Sequence, residues 1–262
     1  MPRWYRTAIL DHRGLVAGMY DELGMGDGLD RMTQHTPETR FVTVGHAVHA
    51  MVLNGLGCVH QPLSLVPMFV QNKPTQRLVA PGLEAQPLHD ETLGRALDTL
   101  DATGVTALDR LMAVTAAQRL GLTPTFAPLD RTSFHVAGRD NSGEEPDAPV
   151  MHSTRGDRRD HRPDRNHVRL DVMVDHHAGI PVLMKPLSGH RSDTRDGGQV
   201  VTEHVRQLQT TDGTTSLVAD SALDRAENLQ KLADAGTTWM TRVPATLTEA
   251  QDVLEQVPPE AM

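Results

Sequence analysis

The sequence predicts an α/β protein in which an all-α N-terminal domain precedes a mixed β-sheet with flanking helices. Residues before position 120 show the apolar spacing of helices, whereas strand-like segments begin only after it. Asp130 and Asp220 each lie in an apolar strand-like segment. A chain of 262 residues is long enough for two domains, and we divide it into residues 1–120 and residues 121–262.

Composition limits the class of protein. Apolar residues make up 38% of the chain and aromatic residues only 3%, so aliphatic side chains must fill the core. A single cysteine, Cys58, excludes an internal disulfide framework and fits a reducing compartment. A nucleophilic role for Cys58 beside His60 is the less favoured interpretation, because the preceding segment is apolar and is expected to be buried. No signal peptide and no apolar run of about 20 residues are visible, so we expect a cytoplasmic protein without membrane contact.

The N-terminal domain is predicted to contain four to six helices. Its clearest helical segments are residues 14–23, 43–56, 91–100 and 104–120. In the second segment, His46 and His49 lie off the apolar stripe and are expected to face solvent. Asp90 is predicted to be the N-cap of the third. Helical modules of this kind commonly bind DNA, although helices alone do not establish it.

The C-terminal domain is predicted to alternate strands and helices in a recognisable order. Strands are predicted within residues 122–136, 168–174, 180–184, 216–220 and 237–243, and helices at 200–208, 226–232 and from 248 onwards. The first three strands have short or loop-rich connections typical of an antiparallel meander, and helices separate the rest. This is the ribonuclease H-like order, with Asp130 on the first strand and Asp220 on the fourth.

An acidic residue inside an apolar strand requires an explanation. Burying an unpaired charge costs several kcal/mol, roughly, so such an aspartate is usually paired, hydrogen-bonded or bound to a metal. For Asp130 alone, a role in capping a turn remains an alternative. A second strand of the same kind, ending at Asp220, favours a shared role.

A basic segment stands out in a chain of net charge -9. Residues 154–169 contain three aspartates and six arginines, namely Arg155, Arg158, Arg159, Arg162, Arg165 and Arg169. The segment is either a solvated face in which arginines and aspartates pair with each other, or a loop that contacts phosphates. The net charge of the whole chain argues against uniform coating by nucleic acid but permits such a local strip.

Residues 175–177, Asp-His-His, resemble the signature of a phosphoesterase family. They fall at a predicted hairpin turn between two strands, which disfavours that reading.

Several short motifs in fixed order resemble one family. They lie at residues 50–56, 93–98, 132–135, 159–163, 184–189, 217–223 and 241–245, and they accompany the two aspartate-bearing strands. The sequence resembles the DDE transposases of bacterial and archaeal insertion sequences, in particular a group with a helical N-terminal domain and a ribonuclease H-like core. The resemblance implies metal-dependent DNA strand cleavage and transfer, with transposon ends and target DNA as partners. A homodimer is compatible with it, but the sequence does not define the oligomeric state.

Carried over to this chain, the resemblance implies that Asp130 and Asp220 are catalytic acids that bind Mg²⁺ or Mn²⁺. Adjacent central strands would bring the two carboxylates together, and oxygen ligands suit such hard cations. Ser133 and Ser221 would orient ligands or waters around them. The five arginines from Arg155 to Arg165 would contact DNA. Arg131 departs from the family, which usually has a small residue there, and its cation is expected to compete with the metal for the Asp130 carboxylate.

The family's third acid is a glutamate on a helix after the last core strand. The glutamates of this chain in that region are Glu249, Glu255 and Glu260, and none has the expected sequence context. Glu249 is better explained by stabilisation of a helix N-terminus. We therefore expect a C-terminally truncated or diverged copy. The alternative is a catalytically inactive remnant that only binds DNA.

Overall fold

The structure is a computed structural model, and it divides into two compact units, residues 1–119 and 120–262. It describes residues 7, 9–34, 41–56, 62–122, 126–136, 154–155, 166–176, 178–188, 216–220, 226–243, 248 and 252. The predicted helix at 200–208, most of the predicted C-terminal helix, Cys58 and His60 lie outside these residues. No helix in the described ranges combines the length and apolar character needed to cross a bilayer. Each unit is considered by itself below.

The first unit is entirely helical in its described part. Its helices are α1 (Arg13–Glu22), α2 (Met25–Met32), α3 (Val44–Gly55), a 3-10 turn (Leu63–Leu65), α4 (Val66–Gln71), α5 (Thr75–Leu78), α6 (Asp90–Thr103) and α7 (Val105–Leu120). The four predicted segments are all helical, but the described part of the unit has seven α-helices and not four to six, because α2, α4 and α5 are short helices. The N-cap of α6 is one residue earlier than expected, because His89, not Asp90, accepts a hydrogen bond from the amide of Thr92.

Helix α3 is the centre of this unit, since α1, α2, α4 and α6 all contact it. The Thr43 hydroxyl caps it by accepting from the amide of His46. The core around α3 is built from small and aliphatic side chains, as the scarcity of aromatic residues requires. It comprises Ala17, Val42, Ala47, Ala50, Leu53, Val66, Val70, Leu78, Val79, Leu83, Leu88, Leu93 and Ala96.

The prediction that His49 faces solvent is wrong. Its side chain is 1% exposed and stacks on the Tyr20 ring, with centroids 4.0 Å apart and planes at 18°. The reason is the position of α3, which is covered on several sides and therefore buries more than one stripe of residues. Burial lowers the pKa of His49, although the nearby Asp21 carboxylate opposes that shift.

Helices α2 and α3 cross at two glycines. A Cβ on Gly45 would lie 2.6 Å from the carbonyl oxygen of Gly26 and 2.7 Å from its Cα. The amide of Gly45 donates to Asp30 Oδ1 at 2.7 Å, and its carbonyl accepts from the Tyr20 hydroxyl at 2.9 Å. The backbones thus approach as closely as only glycine permits.

The second unit contains a mixed sheet. Its strands are β1 (Phe126–Val136), β2 (Thr154–Arg155), β3 (Asn166–Val174), β4 (Pro181–Ser188), β5 (Ser216–Ala219) and β6 (Thr238–Thr241), with helix α8 (Ala226–Asp234) before β6. Strand β3 pairs antiparallel with β1 on one side and with β4 and the short β2 on the other. Strand β5 pairs parallel with both β1 and β6. An antiparallel meander extended by two parallel strands on the other side of β1 is the ribonuclease H-like arrangement, and the predicted fold class is confirmed.

Strand β3 buries a different face from the one its composition suggests. The aliphatic face of β3 is only half-buried; it carries Val168, Leu170, Val172 and Val174. The fully buried face carries His167, Arg169, Asp171 and Met173. Arg169, the last arginine of the basic segment, is a β3 residue at 1% exposure. For Asp171, the Arg131 guanidinium on the neighbouring strand compensates for the lost hydration.

The apolar core of this unit lies at one end of the same face. Ala127 of β1, Met173 of β3, Leu183 of β4 and Leu217 of β5 meet Leu232 of α8 there. Helix α8 therefore covers the sheet where the side chains are apolar.

Candidate active site on two parallel strands

The register of β1 and β5 brings Asp130 next to Asp220. The two strands pair in parallel from Phe126 opposite Ser216 to Leu129 opposite Ala219. Asp130 is the next residue of β1 and Asp220 is the first residue after β5, and neighbouring strands are about 4.8 Å apart. Both residues are exposed. We refer to these two acids, which are far apart in sequence, as the acid pair.

Hydrogen bonds hold each acid in place. The amide of Arg131 donates to Asp130 Oδ1 at 2.8 Å, just beyond the last residue of β1 that pairs with β5. On the other strand, the Thr241 hydroxyl of β6 donates to the carbonyl oxygen of Asp220 at 2.8 Å. That bond fixes the backbone where the chain leaves β5. Both carboxylates are therefore attached to a backbone that the sheet has already ordered.

Arg131 lies on the opposite face of β1 from Asp130, since successive residues of a strand alternate. Its guanidinium binds the buried Asp171 of β3 in a two-pronged contact, Nε to Oδ1 at 2.5 Å and Nη2 to Oδ2 at 2.8 Å. Arg131 and Asp171 are directly opposed in the register. Arg131 was expected to compete with a metal for the Asp130 carboxylate. In the structure its guanidinium binds the Asp171 carboxylate on the other face of β1.

The remaining predicted site residues are only partly described. Ser133 is on the Arg131 face of β1, opposite Arg169, so the sheet does not bring it beside Asp130. Arg155 is in β2, next to Asn166 of β3. The others lie outside the described residues: Ser221, Arg158, Arg159, Arg162, Arg165, Glu249, Glu255 and Glu260.

Of the Asp-His-His segment, Asp175 and His176 lie between β3 and β4, and residue 177 is outside the described residues. Asp175 is 2% exposed, and its Oδ2 accepts from the amide of Ala178 at 2.7 Å. His176 Nδ1 accepts from the amide of Phe126, and the two rings meet edge to face at 5.2 Å. Phe126 begins β1, four residues before Asp130, so this turn is about 13 Å from the acid pair along the strand. The turn explains these residues without a phosphoesterase site.

The helical unit contains a groove of about 460 Å³ between the starts of α3 and α6. Its lining includes Phe41, Thr43, His89, Thr92 and Arg95. Arg95 is paired there with Glu91 at 2.5 Å. Its lining lacks a pair of carboxylates, so it is not a candidate for metal chemistry.

The acid pair suits a hard divalent cation. Carboxylate oxygens are the ligands that Mg²⁺ and Mn²⁺ prefer, and Mg²⁺ commonly binds one or two carboxylates while retaining waters. Both residues are exposed, and each directly follows a paired residue of two neighbouring strands, an arrangement compatible with one shared ion. Within the described residues, no group of three or more histidine, cysteine, aspartate or glutamate side chains is close enough to hold a metal. The donor set therefore fits one shared ion better than a complete protein cage.

Two residues that organise this site were not found from the sequence. Asp171 is 40 positions from Arg131, so no local sequence pattern links the two residues. Thr241 is 21 positions from Asp220 and acts through its hydroxyl on a backbone carbonyl. Only the pairing of the strands reveals either contact.

Comparison with known proteins gives a partial match. A family described as a domain of unknown function (DUF4277) matches residues 5–114, which form the helical part of the chain. No curated protein matches the chain.

Three solved structures are similar to this chain at low levels. They are a Mos1 transposase paired-end complex with the left transposon end (12% identity, TM-score 0.29, 78% of this chain and 60% of that one), a piggyBac transposase synaptic complex with hairpin DNA (12%, 0.36, 96% and 54%) and a pre-cleavage Mos1 transpososome (10%, 0.28, 78% and 60%). The chain thus spans between half and two thirds of the length of these structures.

Proposed function

We propose that this chain is an insertion-sequence transposase of the DDE type, a protein that cleaves and joins DNA strands with the help of Mg²⁺ or Mn²⁺. The proposal is carried by the parallel register of β1 and β5, which ends one residue before Asp130 and Asp220, and by the exposure of both acids. The ribonuclease H-like strand order and the motif order of the sequence support the same assignment.

The roles of the residues follow from the chemistry. Asp130 and Asp220 hold the ion, and their fixed backbones limit the loss of conformational entropy on binding. When bound, such metals make a water or a 3'-hydroxyl nucleophilic and stabilise the leaving oxygen of a phosphodiester. Arg155, Arg158, Arg159, Arg162 and Arg165 neutralise DNA phosphates and position the strand without reading its sequence. The helical domain of residues 1–120 contributes DNA binding or assembly.

A second candidate is a DNA-binding remnant that occupies transposon ends and catalyses nothing. The observation that favours it is the absence of a third carboxylate beside the pair within the described residues. A third carboxylate contributed by Glu249 or Glu255 would distinguish the two, because its change to glutamine would lower cleavage while leaving DNA binding intact. If no variant cleaves DNA at any metal concentration while transposon ends are bound tightly, the result favours the remnant.

Metal binding tests the proposal independently of activity. Titration of Mn²⁺ into the protein, measured by calorimetry, is expected to show one site that Asp130→Asn and Asp220→Asn each remove. Asp234→Asn is the matched control, because Asp234 is an exposed carboxylate on α8 in the same unit. Circular dichroism establishes that the variants are folded. Parent-like binding by both site variants would eliminate the site.

The phosphoesterase alternative is tested in the same series. Alanine at residues 175–177 would abolish metal binding if those residues held the ion. Retained Mn²⁺ affinity in that variant would leave Asp130 and Asp220 as the metal ligands.

A further inference from the structure

The positively charged Arg131 side chain, next to the acid pair in sequence, requires a negatively charged partner. Arg131 directly follows Asp130 in the sequence, and a positive charge close to a metal site repels the metal. In this sheet the guanidinium is turned to the other face and is bound by both oxygens of Asp171. A two-pronged contact of this kind fixes orientation as well as charge.

Asp171 has an unusual position on that face. It is 2% exposed, and the register places Arg131 of β1 on one side of it and Lys185 of β4 on the other. Arg169 is two residues away on the same face of β3. Within β1, β3 and β4, Asp171 is the one acidic residue on this face, against three cationic residues. Its negative charge therefore partly neutralises the three cationic side chains on the face of the sheet opposite Asp130.

We propose that Asp171 is a positioning residue for the acid pair: it holds the Arg131 guanidinium on the face opposite Asp130 and neutralises it, so that a divalent cation can bind. This inference rests on the proposed function. Asp171 does not contact the ion and acts only through Arg131. The arrangement lets the chain carry an arginine at a position where the cation would otherwise weaken the site.

The expected effect is set by electrostatics. Two side chains on opposite faces of one strand place their charges about 10 Å apart, and the ion's double charge doubles the repulsion. Loss of the Asp171 charge should therefore weaken Mn²⁺ affinity roughly tenfold at low salt. Salt screening should reduce this factor, because the Debye length is about 10 Å at 0.1 M.

A charge series tests the inference with Mn²⁺ as the probe and calorimetry as the readout. Asp171→Asn should bind about tenfold more weakly, Arg131→Gln should bind several-fold more tightly, and the double variant should return to within about threefold of the parent. Glu91→Gln is the matched control, because it breaks the Glu91–Arg95 ion pair in the helical unit. It should leave Mn²⁺ affinity unchanged.

The series separates a positioning role from a structural one. A structural role predicts that thermal stability falls in Asp171→Asn and in the double variant while Mn²⁺ affinity stays at the parent value; that result would overturn the inference. A double variant as weak as Asp171→Asn would also overturn it. If Asp171→Asn does not fold, Arg131→Gln decides, since unchanged affinity there contradicts the proposal. Parent protein that binds no Mn²⁺, or Asp130→Asn that binds like the parent, would instead remove the proposed function itself.

Discussion

Replacing Gly45 with alanine should destabilise the helical unit far more than a helix propensity scale suggests. On propensity alone, a glycine-to-alanine change within a helix is worth about 1 kcal/mol of stabilisation. At Gly45 the added Cβ would meet three backbone atoms of Gly26 at 2.6–2.9 Å, and backbone cannot move aside as a flexible side chain can. Helices α2 and α3 must separate, which weakens the hydrogen bonds to Asp30 and from Tyr20.

Overpacking typically costs about 1–3 kcal/mol, and each weakened hydrogen bond adds about 1 kcal/mol. We therefore expect Gly45→Ala to lower the free energy of unfolding by about 3 kcal/mol. Urea unfolding followed by far-ultraviolet circular dichroism measures the change. Gly18→Ala is the control, because Gly18 is exposed within α1 and a Cβ there meets nothing within 4 Å. It should stabilise the protein by about 0.5–1 kcal/mol. Equal effects of the two substitutions, in either direction, would refute the steric argument.

Two further predictions concern pH and salt. Burial lowers the pKa of His49 below its ordinary value of 6.5, so the unfolded chain binds the proton more readily than the folded one. The contribution of neutral His49 to the free energy of unfolding is therefore fully present above about pH 6.5 and is lost as the pH falls below it. His49→Gln should flatten the dependence of unfolding free energy on pH between about 7 and 5, and an unchanged slope would assign the dependence to other groups. Changing Arg155, Arg158 and Arg159 to alanine should weaken DNA binding similarly for all sequences. It should also flatten the slope of log affinity against log salt by about two to three, since each phosphate contact contributes roughly 0.9. A slope equal to that of the parent protein would identify the segment as a solvated face.

Much of the strand order was predictable because short runs of strand-forming apolar residues, alternating with polar ones in β3, are a local signal. It located β1, β3 and β5, and it singled out Asp130 and Asp220 as acids on apolar strands. The relation between those two residues followed from the assumption that their strands are adjacent. No local pattern gives that adjacency, but the ribonuclease H-like order does.

The predictions failed where burial depends on a distant partner. His49 was assigned to solvent because it is polar and lies off the apolar stripe, yet stacking on Tyr20 makes its burial tolerable. Asp171 was overlooked for the same reason, since its burial depends on Arg131 in another strand. A polar residue reveals its environment only through the group that satisfies it, and that group can be far away in sequence.

The parallel pairing of β1 with β5 also has a consequence for the order of assembly. Asp220 follows Asp130 by 90 positions, whereas the β3–β4 hairpin closes through a short turn. Closing the longer loop costs more chain entropy and is expected to be slower. The acid pair is therefore absent from every N-terminal fragment that ends before residue 220, including the growing chain during synthesis.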